Sequence, residues 1–118
     1  MIIGVIGSRG FDDYQLLSSV LENYHIHAIV SGGAKGADSL AARYASENNI
    51  KLVEFLPDWS LGLNAGFLRN QHIVDSSDMI IAFWDGVSGG TLDSIKKARK
   101  QKKKVVVIDI NKNFNSIF

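Results

Sequence analysis

The chain has no cysteine and a single proline among its 118 residues. Without cysteine it can form neither a disulfide scaffold nor a thiolate metal site, and nothing indicates an oxidising compartment. Long apolar runs are missing as well, because the first one is broken at Gly4 and Gly7 and has no basic segment before it. We therefore expect neither a signal peptide nor a membrane partner, and we expect the protein in the cytoplasm.

Positive charge is scarce outside one short segment. Seven of the 13 basic residues lie between Lys96 and Lys104, so that six basic residues stand against 12 acidic ones in the rest of the chain. Binding to a nucleic-acid backbone needs positive charge that is spread along the contact face. The composition therefore disfavours a general nucleic-acid partner.

Short β-branched runs alternate along the chain with segments of helical period. The runs predict buried parallel strands at residues 2–6, 26–30, 51–55, 79–83 and 105–109. Helices are predicted from near residue 14, over 37–48, over 62–75 and over 90–103. This alternation implies right-handed crossovers. It predicts one α/β domain over residues 1–118, a Rossmann-like doubly wound parallel five-stranded sheet of order 3-2-1-4-5 with helices on both faces.

Glycine is concentrated in the loops after the first, second and fourth predicted strands. These loops read GSRGFDD, SGGAKGAD and WDGVSGGT, and they meet at the sheet edge where open α/β folds bind ligands. Glycine lets backbone amides approach an anion, and a helix that begins next adds the positive end of its dipole. Two such loops predict a phosphate site, although their spacings match neither GxGxxG nor GxxxxGK[ST].

Several side chains at this edge suit a phosphorylated ligand. Arg9 lies at the switch point and can hold phosphate in a bidentate fork. Lys35 is as compatible with neutralising a phosphate as with simple exposure to solvent. Asp85 can form a hydrogen bond with a ribose hydroxyl or with the backbone of its own loop. Asp38 reads as a helix-start residue that also faces the site. The ligand-binding residues predicted from these loops are Gly7, Ser8, Arg9, Ser31, Gly32, Gly33, Lys35, Gly36, Asp38, Asp85, Gly89, Gly90 and Thr91.

The sequence predicts no metal and no cofactor. His25 and His27 begin the second predicted strand, at the opposite edge, and His72 has no partner at a metal-ligand spacing except Asp75. Trp59 follows Pro57 in a loop, and an indole there indicates a base platform or a dimer contact.

Four ordered motifs, GSRGFDDY, SGGAKGADSLAARYA, PDWSLGLNAGFLRN and GVSGGT, resemble the small stand-alone YspA/YpsA-related branch of the SLOG superfamily. That superfamily joins the DNA-processing protein DprA with the LOG phosphoribohydrolases. The resemblance implies a Rossmann-like domain that binds nucleotides or nucleotide-derived molecules, commonly as a homodimer or higher homo-oligomer, in a bacterial cell or a phage-infected host. It also raises Arg69 and Asn70, which match an RN motif of the branch, to candidate ligand-binding residues.

The resemblance further suggests an enzyme, but this sequence departs from the pattern. LOG enzymes place a glutamate three residues after the threonine of their glycine-rich loop, where this chain has Ser94. Asp93 is adjacent, yet neighbouring helix positions point about 100° apart. Glycosidic cleavage needs a placed carboxylate, so the sequence favours binding without catalysis. If the protein is an enzyme, Arg69 and Asp85 are the candidate catalytic residues.

Three functions stay open at this point. The favoured one is binding of ADP-ribose, cyclic ADP-ribose, an NAD-type molecule or a nucleoside monophosphate, for sensing or sequestration. The first alternative is a LOG-like nucleoside-5'-monophosphate phosphoribohydrolase. The second is DprA-like single-stranded DNA binding through the Lys96–Lys104 cluster, which also suits the end of a helix.

Overall fold

Five parallel strands and four α-helices alternate within residues 1–111. A computed structural model describes residues 1–111. The elements are β1 (Ile2–Gly7), α1 (Tyr14–Leu21), β2 (Ala28–Ser31), α2 (Ala37–Glu47), β3 (Lys51–Glu54), α3 (Ala65–Asp75), β4 (Met79–Trp84), α4 (Gly89–Lys100) and β5 (Lys104–Asp109), with a 3₁₀ turn at Trp59–Leu61. The predicted domain runs to residue 118, and its last seven residues lie outside this description.

The sheet has the order β3-β2-β1-β4-β5, and all four strand pairs are parallel. The predicted fold class and strand order are therefore confirmed. β1 pairs with β2 on one side and with β4 on the other, so the chain reverses its winding between β1 and β4. Parallel strands joined by helices must cross over, and right-handed crossovers place successive helices on the two faces of such a sheet.

Apolar residues pack on both faces of the sheet. On one face, Val5 and Phe83 pack with Leu17 and Ala41 of α1 and α2. On the other face, Ile6 and Ile80 pack with residues of α3 and α4 such as Ile95. Successive residues of a strand point to opposite faces, which is why β1 and β4 supply both layers.

Several predicted details are wrong. The two edge strands, β3 and β5, are only partly buried, because each has a neighbour on one side alone. α3 begins at Ala65 instead of residue 62, since Gly62 has a φ of 88° and ends the 3₁₀ turn. α4 ends at Lys100 instead of residue 103, and Lys102 follows with a left-handed φ of 59°. In addition, β2 begins two residues later than predicted.

Within residues 1–111, no helix is both long enough and apolar enough to cross a membrane. The same residues hold no cluster of three or more His, Asp or Glu side chains that could bind a metal ion.

Candidate functional site

Two adjoining cavities open at the carboxyl edge of the sheet, and we call them together the cleft. The larger cavity, of about 520 Å³, is lined from the end of β1, the turn after β4, α3 and the start of α4. The smaller cavity, of about 350 Å³, lies between the loop after β2 and the loop after β3. Arg9, Ala34, Trp59 and Arg69 line both cavities, so these four residues form a shared neck.

Most of the predicted ligand-binding residues come together at this cleft. Those on the larger cavity are Gly7, Arg9, Asp38, Arg69, Asn70, Asp85, Gly89, Gly90 and Thr91. Those on the smaller cavity are Arg9, Gly32, Gly33, Lys35 and Arg69. Ser8, Ser31 and Gly36 line neither cavity. Whether the lining residues bind a ligand stays a prediction.

Arg69 is the most firmly placed cation of the cleft. Its Nη1 donates to the carbonyl oxygen of Gly32 at 2.7 Å, and its Nε donates to Oδ1 of Asn70 at 3.0 Å. Burial lowers the pKa of Arg69, the carboxylate of Asp38 opposes that shift, and the positive charge of Arg9 adds to it. A guanidinium has five N–H donors, so this one keeps donors for a ligand after both bonds are made.

Arg9 faces the same neck from the loop after β1. Its side chain is exposed, and no carboxylate of residues 1–111 lies within ion-pair distance of it. The charge of Arg9 lowers the pKa of Arg69, so the two guanidiniums repel each other, and the carboxylate of Asp38 on the same cavity offsets this repulsion in part. An anionic ligand between them would relieve this repulsion and gain charge-assisted hydrogen bonds.

Asp38 is a buried carboxylate on the wall of the larger cavity. Only 7% of the residue is exposed, and it accepts a hydrogen bond from the amide of Ala34 at 3.1 Å. Burial raises the pKa of Asp38, while the amide of Ala34 and the charge of Arg69 limit the rise. Asp38 is in the first turn of α2 as predicted, and its carboxylate also holds the glycine-rich loop against that helix.

Asp85 shapes the turn that leads into α4. Its Oδ1 accepts from the amides of Val87 and Ser88, both at 2.8 Å, and its Oδ2 accepts from the hydroxyl of Ser88. These amide donors lower the pKa of Asp85. Asp85 therefore accepts hydrogen bonds from the backbone of its own turn, which is one of the two roles that the sequence suggested for it. It also lines the larger cavity.

The start of α4 presents unused amides to the larger cavity. Ser88 precedes the helix without making a side-chain cap, and the N–H groups of Gly89, Gly90 and Thr91 meet no acceptor within residues 1–111. A Cβ atom added at either glycine would meet nothing within 4 Å. The amides at a helix start suit an anion or a hydroxyl oxygen.

The other predicted residues of these loops serve packing. Gly36 has a φ of 77°, and a Cβ there would collide with the carbonyl oxygens of Ser8 and Arg9. The hydroxyl of Ser8 accepts from the amide of Asp85 at 3.1 Å and so ties β1 to the turn after β4. Ser31 is fully buried, and its hydroxyl has no partner within residues 1–111. These roles depend on tertiary contacts that the sequence does not display.

The cleft also has an apolar wall that the sequence analysis largely missed. Trp59, Leu63 and Phe67 line the larger cavity, and Leu63 is 97% exposed while Trp59 is 63% exposed. The sequence singled out Trp59 alone, because Leu63 and Phe67 fall inside the helix predicted over residues 62–75. The available signal was the uncharged stretch WSLGLNAGFL between Asp58 and Arg69.

Ser94 and Asp93 differ in their relation to the cavity. Ser94 is buried on its wall, whereas Asp93 does not line it. The carboxylate of Asp93 accepts from Lys97 at 2.5 Å and from the amide group of Asn70 at 3.2 Å. Asp93 therefore joins α4 to α3, in agreement with the expectation that it cannot replace a glutamate at position 94.

Two lysines of the basic cluster are engaged in the protein itself. Lys97 donates to Asp93 and to the carbonyl oxygen of Phe67, and Lys103 donates to the carbonyl oxygens of Val74 and Asp75 at the end of α3. α4 begins at the cleft and ends at Lys100. None of the residues from Lys96 to Lys104 lines either cavity.

Comparison with solved structures supports the fold. The chain is similar to the DNA processing protein A (DprA) from Streptococcus pneumoniae, with a TM-score of 0.75 and 19% sequence identity. The similarity covers 89% of this chain and 49% of that one, so this chain spans about half the length of that DprA. No curated protein matches this chain.

A family model matches residues 1–62, which is more than half of the 118 residues. The match includes the loops after β1 and β2 and ends before α3. The motif PDWSLGLNAGFLRN extends beyond the matched residues, and GVSGGT lies outside them. The chain therefore belongs to the YspA, cpYpsA-related SLOG family.

Proposed function

We propose that the protein binds a phosphate-bearing, nucleotide-derived small molecule in the cleft, for sensing or sequestration. The ligands under consideration are ADP-ribose, cyclic ADP-ribose, an NAD-type molecule and a nucleoside monophosphate. The observation that carries the proposal is the pair of guanidiniums, Arg9 and Arg69, that share one neck without an ion-pair partner in residues 1–111. Family membership supports a nucleotide-related ligand. The proposal implies a cytoplasmic setting, because nucleotide pools lie there.

The surroundings of the arginine pair suit the two halves of a nucleotide. Cations and helix-start amides favour phosphate, and the indole of Trp59 with Phe67 offers an aromatic surface for a base. The carboxylate of Asp38 suits a ribose hydroxyl as an acceptor. Trp59 and Phe67, the guanidiniums of Arg9 and Arg69, and the buried carboxylate of Asp38 all line the larger cavity.

The proposal is tested by identifying what the protein carries. Mass spectrometry of small molecules released from the purified protein, followed by thermal-shift titration with adenine nucleotides, measures binding directly. A ligand that binds only the native state raises apparent stability by RT ln(1 + [L]/Kd). We expect a saturable rise with at least one phosphorylated nucleotide and no rise with adenosine or inorganic sulfate at equal concentration. A panel that leaves the Tm unchanged would overturn the proposal.

A phosphoribohydrolase is the second candidate function. Asp38 favours it, because a buried carboxyl with a raised pKa suits a general acid. Ser94 opposes it, since this residue stands where LOG enzymes have their glutamate. Incubation with AMP followed by chromatography for adenine and ribose 5-phosphate distinguishes the two. Turnover that is lost in Asp38→Asn would replace the binding proposal with the enzymatic one.

Single-stranded DNA binding is the third candidate, favoured by the similarity in fold to a DNA-processing protein. Five cations of the basic cluster, Lys96, Arg99, Lys100, Lys102 and Lys104, are exposed. If they bind DNA, affinity falls steeply with added salt and falls again in the Lys100→Ala, Lys102→Ala, Lys104→Ala triple variant. We expect weak binding of oligonucleotide and unchanged nucleotide binding in that variant.

We also propose that the protein forms a homodimer or a higher homo-oligomer. Leu61, Leu63 and Leu68 are exposed, Leu63 lines the larger cavity, and exposed apolar surface commonly marks an interface. Sedimentation equilibrium tests this directly. We expect an assembly that dissociates in Leu63→Glu, and a wild-type monomer at all concentrations would contradict it.

A further inference from the structure

The basic cluster takes no part in the cleft, and most of its charge is unpaired. Its exposed cations are Lys96, Arg99, Lys100, Lys102 and Lys104. Neither of the ion pairs found within residues 1–111 includes any of these five. Like charges that stand close together repel each other, so this group of cations gains from an anionic partner outside the described part of the chain.

Three of the exposed cations lie beside the open edge of β5. Lys102 precedes that strand and Lys104 begins it. Arg99 follows Lys97 by two residues, which is about 200° around α4, and Lys97 faces α3 through its bond to the carbonyl oxygen of Phe67. Arg99 therefore points away from α3. Because α4 joins β4 to β5 and contacts both strands, that direction leads to the β5 edge of the sheet.

The backbone of β5 has free bonding capacity at this edge, since the strand has a neighbour on one side only. The amide of Ile110 donates to the carbonyl oxygen of Trp84, at the end of β4, and the register between the two strands is regular. Backbone groups of successive strand residues point to opposite sides. The N–H and C=O groups of Val105, Val107 and Asp109 therefore point to the open edge, where no other strand of residues 1–111 pairs with them.

The cations stand on both faces of the sheet at the start of β5. Val105 packs in the layer of α3 and α4, whereas Val106 packs in the layer of α1 and α2. Since side chains alternate between the faces of a strand, Lys104 shares the face of Val106, and Arg99 of α4 lies on the other face. Two successive acidic residues of a strand added at this edge would each have a cation on their own face.

We propose that the β5 edge binds an extended acidic segment of a partner protein, which joins the sheet as an added strand. In such binding, main-chain hydrogen bonds supply affinity and side chains supply specificity. The segment has successive acidic residues beside Lys104 and apolar residues beside Val107, which is 37% exposed. Asp109 is exposed at the other end of β5 and disfavours an acidic residue there, so the charges also set the register.

This proposal is independent of the proposed function, because none of the residues of β5 lines the cleft. The opposite edge strand, β3, has four residues and exposes one lysine and one glutamate, so it does not favour an acidic partner. Lysine at a sheet edge opposes pairing with a second copy or with a basic segment. Single-stranded DNA would use the cations but not the outward amides of β5.

Fluorescence anisotropy of labelled synthetic peptides tests the proposal on the whole protein. The probes are EEVTVTV and VTVTVEE, which place the acidic pair beside Lys104 in parallel and in antiparallel pairing respectively. Their controls have lysine in place of glutamate. We expect saturable binding of at least one acidic probe and no binding of the lysine controls up to about 1 mM. Failure of both acidic probes to bind would overturn the proposal.

Charge reversal tests the role of the cations. We expect the Lys102→Glu, Lys104→Glu double variant to bind the acidic probe at least about tenfold more weakly and to gain binding of the matching lysine control. Lys51→Glu is the control variant, because Lys51 is an exposed lysine at the start of the opposite edge strand, and its affinity for the acidic probe should equal that of the wild type. An acidic probe that is indifferent to the double variant would contradict the proposal.

Val107→Pro tests the backbone pairing, since it removes an outward amide and leaves every cation in place. We expect a loss of at least about tenfold in peptide affinity, with the Tm of the variant as the folding control. Peptides that are N-methylated at alternate residues repeat this test on the wild-type protein. A thymidine oligonucleotide is the ligand that uses charge alone, and we expect Val107→Pro to leave its weak binding unchanged.

Two results would assign the basic cluster differently. Peptide binding that survives both Val107→Pro and N-methylation in either alternate set would show attraction by charge without strand addition, and the proposal would be wrong. An oligonucleotide that binds more tightly than both acidic probes would assign the cluster to nucleic acid instead.

Discussion

Arg69 of α3 donates from Nη1 to the carbonyl oxygen of Gly32, 2.7 Å away in the loop after β2. The contact joins residues 37 positions apart and lies at the neck between the two cavities. Gly32 is required for it, because a Cβ at that position would collide with the guanidinium. Gly32, which the sequence assigned to anion binding, thus makes room for the side chain of Arg69.

Arg69→Ala removes this contact together with half of the cation pair. We expect the free energy of unfolding to fall by about 1.5–3 kcal/mol, the range for hydrogen bonds that involve a charged group, and nucleotide binding to be lost. Urea unfolding and titration calorimetry measure the two effects. Arg43→Ala is the matched control, since Arg43 is an exposed arginine paired with Glu47 on α2. Full nucleotide binding by Arg69→Ala would remove this residue from the site.

Gly36→Ala tests which glycines serve packing. Gly36 has a φ of 77° and lies against the backbone of Ser8 and Arg9, so alanine there adds strain of about 1–3 kcal/mol and a collision. We expect a clear loss of stability in thermal unfolding. Gly89→Ala is the control, because its added methyl group enters open space at a helix start, and its Tm should be equal to or above that of the wild type.

Asp38→Asn tests whether the buried carboxylate costs stability. Burial raises the pKa of Asp38 above 3.8, so between 3.8 and the native pKa the folded state binds more protons than the unfolded state. The contribution of Asp38 to the free energy of unfolding is therefore fully present below pH 3.8 and is lost as the pH rises through its native pKa. We expect Asp38→Asn to be more stable than the wild type at pH 7 and equal to it at pH 3.

The same variant should bind ADP-ribose more weakly, because an amide is a poorer acceptor for hydroxyl groups than a carboxylate. If Asp38→Asn gains stability and loses binding, Asp38 serves ligand binding at the expense of stability. If Asp38→Asn lost stability at pH 7, the carboxylate would instead be a structural partner of the loop.

Asp85 predicts the opposite dependence on pH. The amides of Ser88 and Val87 lower its pKa below 3.8, so the unfolded state binds more protons in that range and stability decreases as the pH falls through the native pKa. We expect Asp85→Asn to unfold at a lower urea concentration than the wild type at pH 7, and this difference to shrink at pH 3. A difference that is the same at both pH values would show that the charge of Asp85 does not matter.

The sequence predicted the order of the sheet and the edge at which the glycine-rich loops meet. Both follow from local signals, since alternating strands and helices restrict the topology and glycines mark the loops. The bounds of α3 could not be read in the same way. Gly62 belongs to an uncharged stretch that reads as helix, and only the folded backbone shows its positive φ.

The composition of the cleft was harder to predict than its location. Arg9 could be placed from its position after β1, whereas the bond between Arg69 and Gly32 depends on how α3 packs across the sheet. Leu63 and Phe67 were missed because both fall in the helix predicted over 62–75, and helical spacing alone does not separate apolar residues that face the cleft from those that face the core. The packing contacts of Ser8 and Gly36 could not be predicted, because their partners lie far away in the sequence.

The most direct measurement is a calorimetric titration of ADP-ribose into three forms of the protein: wild type, Arg9→Ala and Arg99→Ala. Both substituted arginines are exposed, but only Arg9 lines the cleft. We predict one site per chain in the wild type, a loss of at least about tenfold in affinity in Arg9→Ala, and an unchanged affinity in Arg99→Ala. Equal affinities in all three forms, or no binding in any of them, would contradict the account.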